Sequence, residues 1–344
     1  MQAMLLKKVK KIVLLGTGGT IAGTAKTPQD DWGYTAAQLG VEQLVAAVPA
    51  LQNLLDGHGA ALVCEQVAQV DSKDMDFAIW QALAARVCHH LAQADVQGVV
   101  ITHGSDTLEE TAFFLHAALH AALPAELVAA KPVVLTCAMR PASSAQADGP
   151  QNLQDALAVA LCAGACGVVA VCAGKIHSAL AVQKVHPTRL DAFDSGDAAP
   201  LGSVAGTNVR LEGNWPISLV GHAKLDIKNI ADAAHWPRVE IVMSHAGAST
   251  LTVQALMAQG GLAPWQKLRG IVVAATGNGT VHQALEAALL QAQRSGVRVL
   301  RSTRCAYGQV QSPPGKPIPD SAGLSPVKAR IALMLELIGE DGLG

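Results

Sequence analysis

The sequence predicts an α/β protein of two doubly wound domains: a larger N-terminal one built on a mostly parallel sheet, and a smaller, flavodoxin-like C-terminal one. Three observations lead to this prediction. Short apolar runs that favour β-strands recur along the chain, alanine-rich stretches of helical length separate most of them, and the pattern restarts after a turn-rich interval. With 344 residues, the chain is long enough for two domains with separate cores.

The elements follow from the length and composition of successive segments. Stretches such as Asp76–Gln93 and Asp155–Ala163 are rich in alanine and long enough for helices. Their alternation with apolar runs predicts parallel strands joined by helices. The predicted strands are Lys11–Leu15, Gly98–Thr102, Pro132–Ala138, Gly167–Ala173, Val239–Ser244, Gly270–Ala275 and Gly296–Arg301.

One interval interrupts this alternation and marks a domain boundary. After Pro187 the chain is rich in turn formers and lacks helical periodicity, and a second series of strands and helices begins at Val239. We therefore expect an N-terminal domain at residues 1–211, a linker at 212–236 and a C-terminal domain at 237–344.

Composition and charge exclude several classes of protein. Half of the residues are hydrophobic, 15% are charged and the formal net charge is −2, which argues against a disordered chain and against nucleic acid as a partner. The apolar run Ile12–Leu15 is shorter than the roughly 7–15 residues of a signal-peptide core. No segment approaches the roughly 18 apolar residues of a membrane span. Seven cysteines without CxxC spacing indicate reduced thiols, so we expect a soluble, cytoplasmic protein.

The first predicted strand runs into the glycine-rich stretch LLGTGGTIAG, residues 14–23, which resembles a nucleotide-binding loop. The dinucleotide fingerprint needs a third glycine where Ile21 stands, and the P-loop needs serine or threonine where Ala25 stands. Both nucleotide hypotheses therefore fail on a specific residue. What remains is a tight turn in which Thr17 or Thr20 either bonds the turn backbone or takes part in chemistry.

A second strand end carries a similar set of polar groups. In VVITHGSDTLEETAFFL, a strand ends at Thr102 and a glycine turn bearing Ser105 and Asp106 leads into a helix. The pair Thr107 and Glu110 fits a capping box, so part of this motif has a structural explanation. Ligands of open α/β sheets bind beyond the carboxyl ends of strands, so the two turns together predict a hydroxyl nucleophile acting on a small polar substrate.

Together these motifs resemble the paired signature of the bacterial-type L-asparaginases (the asparaginase/glutaminase family). GTGGTIAG and ITHGSDTLEETAFFL carry the resemblance, and collinear segments from about Lys11 to Leu337 agree with it. These segments are YTAAQLGVEQLVAAVP, DSKDM, KPVVLTCAMRPASSAQADGPQNL and LSPVKARIALML. The resemblance implies hydrolysis of L-asparagine to L-aspartate and ammonia, without a cofactor, by a homotetramer arranged as a dimer of dimers.

The resemblance also implies roles for individual residues. Thr20 is expected to be the nucleophile, assisted by Tyr34 of a lid at residues 24–35. Ser105, Asp106 and Lys184 are expected to form the second part of the catalytic machinery. The expected substrate-binding residues are Gly19, Ser72, Lys73, Ser105 and Asp106.

This chain departs from the family pattern at several of these positions. Ser105 replaces the usual threonine and keeps a hydroxyl. Lys73 stands where secreted members have glutamine, so we expect its cation to point away from the substrate ammonium or to lie against a carboxylate. The turn that usually reads GNGN ends in Thr280 here, and the following loop has no acidic residue before Asp320. The sequence therefore does not determine the preference for asparagine over glutamine.

Two histidines raise the alternative of a metal site. His116 and His120 are four residues apart on a predicted helix, but the glutamate and third ligand of a zinc motif are missing. We expect no metal and no cofactor. Two further hypotheses stay open: a glutaminase-asparaginase or related amidase with a broader substrate preference, and a small-molecule-binding protein that has lost catalysis.

Overall fold

The computed structural model describes residues 9–216, 235–311, 313 and 315–341, which form two compact units. The larger unit holds ten strands: β1 Lys10–Gly18, β2 Ala60–Val70, β3 Val96–Thr102, β4 Pro132–Thr136, β5 Gly167–Cys172, β6 Lys175–Ser178, β7 Gln183–Lys184, β8 Phe193–Asp194, β9 Gly202–Ala205 and β10 Asn208–Leu211. Its helices are α1 Val41–Ala46, α2 Ala50–His58, α3 Phe77–Leu91, α4 Leu108–Ala122, α5 Ala125–Val128 and α6 Gly149–Leu161.

The main sheet of the larger unit has eight strands in the order β10-β9-β6-β5-β4-β3-β1-β2. The five strands β1 to β5 pair in parallel, while β6, β9 and β10 pair antiparallel at one end. Alternate residues of the central strands pack on α1, α2 and α6 on one face, and α3 and α4 lie on the other. The sequence prediction of a doubly wound, mostly parallel sheet is confirmed.

The smaller unit is also α/β. Its three parallel strands lie in the order β11-β12-β13. They are β11 Arg238–Met243, β12 Leu268–Ala275 and β13 Arg298–Thr303, accompanied by α7 Leu251–Met257, α8 Gln283–Arg294 and α9 Pro326–Asp341. Most of the expected linker at residues 212–236 lies outside the described residues. Among the helices that are described, none is long and apolar enough to cross a membrane.

The sequence analysis missed β2, although this strand has 11 residues. It lies at the edge of the sheet and pairs only with β1, so most of its side chains are half-buried or exposed. An edge strand does not need the continuous apolar run of a central parallel strand, and Glu65 and Gln66 interrupt the run here. The omission matters because Ser72 follows the end of β2.

The turn after β1 brings the backbone of Gly19 against the backbone of Gly104. Gly19 has φ 81° and ψ −173°, a region that essentially only glycine occupies. A Cβ placed on Gly19 would lie 2.3 Å from the Cα of Gly104, which follows β3. Two glycine turns on neighbouring strands therefore pack backbone against backbone, and a side chain at position 19 would separate them.

Gly19→Ala tests this packing, with Gly59→Ala as the matched control. Gly59 also has a positive φ, 60°, but has no atom within 4 Å of an added Cβ. We expect Gly19→Ala to lower the free energy of unfolding by at least about 3 kcal/mol, because backbone strain and overlap add. Gly59→Ala should cost about 1 kcal/mol. Chemical denaturation followed by circular dichroism measures both, and equal losses would contradict the close packing.

Candidate active site

Three strand ends meet at one edge of the main sheet. β1 lies between β3 and β2, so the chain passes to one side of β1 and then to the other. Such a switch point in the order of parallel strands is where open α/β sheets bind ligands. The loops that leave these ends carry Thr20, Ser105 and Ser72, which were predicted from the sequence to act together.

Thr20 opens a short 3₁₀ turn, Thr20–Ala22, immediately after Gly19. Its side chain is 8% exposed, and its Oγ1 lies 2.7 Å from the phenol oxygen of Tyr34. Tyr34 belongs to the loop of residues 24–35, whose ends are joined by two backbone hydrogen bonds of 2.9 Å between Thr24 and Thr35. The loop thus places a phenol directly against the threonine hydroxyl.

This loop is also anchored on the segment that follows β4. The N–H of Ala25 donates to Ser143 Oγ at 2.7 Å, and the Ser144 hydroxyl donates to Asp31 Oδ1 at 2.6 Å. Arg140 lies 3.4 Å from the other carboxylate oxygen of Asp31. These bonds hold both halves of the loop in the position where Tyr34 reaches Thr20.

Thr17, the other threonine of the glycine stretch, has a structural role. Its side chain is buried, and its hydroxyl donates to the Thr102 carbonyl oxygen at 2.9 Å. This bond joins the ends of β1 and β3. Thr17 therefore bonds backbone, but the backbone of a neighbouring strand and not that of its own turn, which was the alternative that the sequence left open.

A second cluster forms around Ser105, a side chain that is 5% exposed. The Lys184 ammonium donates to Ser105 Oγ at 2.8 Å and to Asp106 Oδ1 at 2.6 Å. Lys184 comes from β7, and its own backbone N–H donates to the Glu109 carboxylate at 3.2 Å. The hydroxyl, the ammonium and the carboxylate thus form one connected set.

Ser72 joins this set from the end of β2. Its hydroxyl accepts the Asp106 N–H at 3.2 Å, and its carbonyl oxygen accepts the Thr107 hydroxyl at 2.8 Å. The capping-box prediction for Thr107 is wrong, because Thr107 is the N-cap of α4 but its side chain makes no capping bond. The hydroxyl joins two strand ends instead of closing the helix.

Lys73 does not point a free cation at this cluster. Its ammonium lies 2.8 Å from Asp71 and 3.1 Å from Asp74. Hydrogen bonds that its ammonium donates to these two carboxylates raise the pKa of Lys73, so it stays charged and locally compensated. Of the two expected arrangements, the structure shows the lysine held by carboxylates of its own segment.

Gly19 acts through its lack of a side chain, because its backbone N–H already has a hydrogen-bond partner. That N–H donates to the Val70 carbonyl oxygen at 2.9 Å, and the carbonyl oxygen of Gly19 accepts from Ala37 at 3.0 Å. The N–H of Gly19 is therefore not available to donate to a substrate. The residue brings Thr20 beside Gly104 and Ser105 because its missing side chain permits the contact.

His103 is a residue to which sequence analysis gave no role. It is fully buried, its Nδ1 lies 2.8 Å from the carbonyl oxygen of Gly104, and its Nε2 lies 2.9 Å from the Thr111 hydroxyl. Burial lowers the pKa of His103 to about 4. The only sequence signal was its position, directly before the glycine turn that carries Ser105.

The histidines that raised a metal hypothesis lie elsewhere in the larger unit. The rings of His116 and His120 lie at a centroid distance of 4.4 Å with their planes tilted by 53°, and His120 Nδ1 donates to the carbonyl oxygen of His116 at 2.8 Å. In the part of the chain that the structure describes, no group of three or more potential ligands clusters.

In the smaller unit, Asn278 lies in the turn that departs from the family pattern. Its side chain exchanges two hydrogen bonds with the backbone of Gln311, at 2.7 and 3.1 Å. The turn is closed by Thr276 and Thr280, whose hydroxyl oxygens lie 2.8 Å apart. Thr280, at the position of a second asparagine in the pattern, therefore closes its own turn.

Similarity to known proteins extends over nearly the whole chain. Residues 11–216 match the family model described as Asparaginase, N-terminal, and residues 238–341 match the Glutaminase/Asparaginase C-terminal domain. L-asparaginase 2 of Bacillus subtilis is 35% identical over 336 residues, covering 96% of this chain and 83% of that protein. Glutaminase-asparaginase of Pseudomonas fluorescens is 34% identical over 342 residues, covering 96% and 87%.

A solved structure agrees with these sequence relationships. The crystal structure named "Probable Cytoplasmic L-asparaginase from Campylobacter jejuni" superposes with a TM-score of 0.82 at 34% identity. The match covers 97% of this chain and 99% of that one. The N-terminal family model spans all the residues that form the cluster at the strand ends. The chain therefore belongs to the asparaginase/glutaminase family of amidohydrolases.

Proposed function

We propose that the protein is an L-asparaginase, EC 3.5.1.1, which hydrolyses L-asparagine to L-aspartate and ammonia through an acyl ester on Thr20. The observation that carries this proposal is the 2.7 Å contact between the Thr20 hydroxyl and the Tyr34 phenol. Gly19, the residue before Thr20, packs against Gly104, the residue before Ser105, and the Ser105 hydroxyl accepts from Lys184. An alcohol becomes an effective nucleophile only beside a group that can take its proton.

The first half-reaction would form the ester. Thr20 Oγ1 bonds to the side-chain amide carbon of asparagine while its proton passes to the Tyr34 oxygen, and Tyr34 passes its own phenolic proton on to the amide nitrogen. The amide C–N bond then breaks, and the nitrogen leaves as ammonia with one added proton. Backbone N–H groups of the two turns other than that of Gly19 would stabilise the oxyanion, each worth on the order of 100-fold in rate or more.

The second half-reaction would release the product. A water molecule beside Ser105 attacks the ester carbon, the bond to Thr20 Oγ1 breaks, and the threonine hydroxyl regains a proton as aspartate forms. Lys184 and Asp106 are the charged pair next to Ser105, and the lysine ammonium is mostly buried. We propose that this pair orients Ser105 and passes the proton during hydrolysis.

Substrate recognition would use the same edge. The Asp106 carboxylate is half exposed, so it can accept the α-ammonium of the substrate on the side that Lys184 leaves open. Ser72 lies against the backbone of Asp106 and would help to bind the α-carboxylate. Asp71 and Asp74 pair with the Lys73 ammonium, and this pairing favours binding of a substrate ammonium nearby because it reduces the repulsion between the two cations.

A glutaminase-asparaginase is the second candidate. Relatives of both kinds match this chain at 33 to 35% identity, so similarity does not separate the two. The turn ending in Thr280 and the loop without an acid before Asp320 remove groups that would bind the α-ammonium in the family pattern. We propose a preference for asparagine, with a weaker discrimination against glutamine than the full pattern would provide.

Three further features complete the proposal. The two family matches end at residue 216 and begin again at 238, which supports a linker at 212–236 between domains at 1–211 and 237–344. The resemblance supports a homotetramer arranged as a dimer of dimers. The printed name of the Campylobacter jejuni protein supports a cytoplasmic location, whereas the Haemophilus influenzae relative is named as periplasmic.

Replacing Thr20 with valine tests the nucleophile, and Thr17→Val is the matched control in the same turn. We expect Thr20→Val to lower kcat for ammonia release from asparagine by about 10³-fold or more, because no hydroxyl remains to form the ester. Thr17→Val loses one hydrogen bond to Thr102 and should cost about 1 kcal/mol of stability with kcat within about tenfold. Substantial turnover by Thr20→Val would remove the proposal.

Replacing Lys184 with methionine tests the proton-transfer pair. Lys131 is a suitable control because its ammonium is also hydrogen-bonded within the fold, donating to the carbonyl oxygens of Leu91 and Gln93 at 2.7 Å each. We expect Lys184→Met to lower kcat by about 10²- to 10³-fold and Lys131→Met to affect stability alone. A similar kcat in both variants would show that Lys184 has no catalytic role.

A comparison of substrates tests the remaining alternatives. We expect kcat/KM for L-asparagine to exceed that for L-glutamine, and both to exceed the values for the D-forms, measured as ammonia release from micromolar to millimolar concentrations. A higher value for glutamine would favour the glutaminase-asparaginase hypothesis. Binding of asparagine without an acyl-enzyme, followed by mass spectrometry after rapid quenching, would favour a binding protein.

A further inference from the structure

A buried chain of hydrogen bonds lies behind the turn that carries Ser105. The indole Nε1 of Trp80 lies 2.9 Å from the Thr111 hydroxyl, which lies 2.9 Å from His103 Nε2. His103 Nδ1 then lies 2.8 Å from the carbonyl oxygen of Gly104. Trp80, on α3, is 4% exposed, and the other two side chains are fully buried. The chain therefore runs from one helix, through another, to the catalytic turn.

The two ends of this chain determine the direction of its bonds. An indole N–H only donates, so the Thr111 oxygen accepts from Trp80 and its own proton is available for His103. A carbonyl oxygen only accepts, so His103 Nδ1 carries a proton and donates to Gly104. The lowered pKa of about 4 keeps the ring neutral at physiological pH, which leaves Nε2 as the acceptor of the Thr111 hydroxyl.

The orientation of the Gly104 carbonyl group determines the orientation of the next backbone N–H. A peptide group is planar, so fixing this carbonyl fixes the N–H of Ser105 on the other side of the same bond. A hydrogen bond to the carbonyl also polarises that N–H as a donor. Gly104 has no side chain of its own to restrain it, and a Cβ placed there would lie 2.4 Å from Ser72 Oγ.

We propose that His103 is a positioning residue whose Nδ1–H holds the Gly104–Ser105 peptide, and with it the Ser105 hydroxyl and N–H, in the orientation that the reaction needs. The role rests on the proposed function. Because Gly104 also touches Gly19, the same bond restrains the backbone beside Thr20. Thr111 and Trp80 act through His103 by holding it in the tautomer that donates from Nδ1.

Two isosteric variants separate this role from simple packing. Asparagine can place its amide nitrogen where Nδ1 lies, and glutamine can place its amide nitrogen where Nε2 lies. We expect His103→Asn to keep kcat within about tenfold of the wild type, whereas His103→Gln should lower kcat by about 100-fold. KM should change by less than about threefold in both, because neither variant removes a group that contacts substrate. Equal losses of kcat in the two variants would overturn the proposal.

A spectroscopic test on the unmodified protein does not depend on activity. Long-range ¹⁵N NMR distinguishes the two neutral tautomers of histidine, and the His103 signal, one of twelve, is assigned by its loss in His103→Asn. We expect an Nδ1–H tautomer, the minor form of free histidine. An Nε2–H tautomer would overturn the proposal whatever the kcat of the two variants.

The same measurements separate this inference from the proposed function. A wild type that releases no ammonia from asparagine would remove the proposed function. The Nδ1–H tautomer, with a Ser105 amide resonance that is retained in His103→Asn and shifted in His103→Gln, would then still support the positioning role. An active wild type in which His103 is the Nε2–H tautomer would support the proposed function and rule out the positioning role of His103.

Discussion

The candidate site depends on one steric constraint, the contact between the backbones of Gly19 and Gly104. The two glycines follow neighbouring parallel strands, and neither position has room for a Cβ. This contact places Thr20 and Ser105, each the next residue in the chain, on the same small region of the sheet edge. A site with two hydroxyls is therefore a consequence of backbone packing at the switch point of the sheet.

Around this contact, each hydroxyl has a different chemical neighbour. The Thr20 hydroxyl lies against a phenol supplied by a loop, whereas the Ser105 hydroxyl accepts from an ammonium supplied by β7. The loop is held at its ends and along its length by backbone and side-chain bonds, which place Tyr34 against Thr20. The two hydroxyls are thus approached by groups from different parts of the chain, a phenol from a loop and an ammonium from a short two-stranded sheet.

Much of this organisation could be predicted from local sequence. The parallel strands, the two glycine turns and their common edge follow from apolar runs and turn residues, and the structure confirms them. β2 was missed because an edge strand lacks a continuous apolar run, and Thr107 was misassigned because a capping box and a bond to Ser72 require the same side chain. The rejection of a phosphate loop depended only on the residues at positions 21 and 25.

The sequence by itself determined the alternation of strands and helices, the glycine positions and the resemblance that singles out Thr20. These are properties of neighbouring residues, for which spacing along the chain is also spacing in the fold. Only the tertiary structure decided that Lys184, 79 residues from Ser105, donates to its hydroxyl. It also decided that the N–H of Gly19 is used by Val70 and that His103 is held as a donor to Gly104. Hydrogen bonds between residues distant in sequence depend on how whole helices and strands pack, and a local sequence pattern does not contain that information.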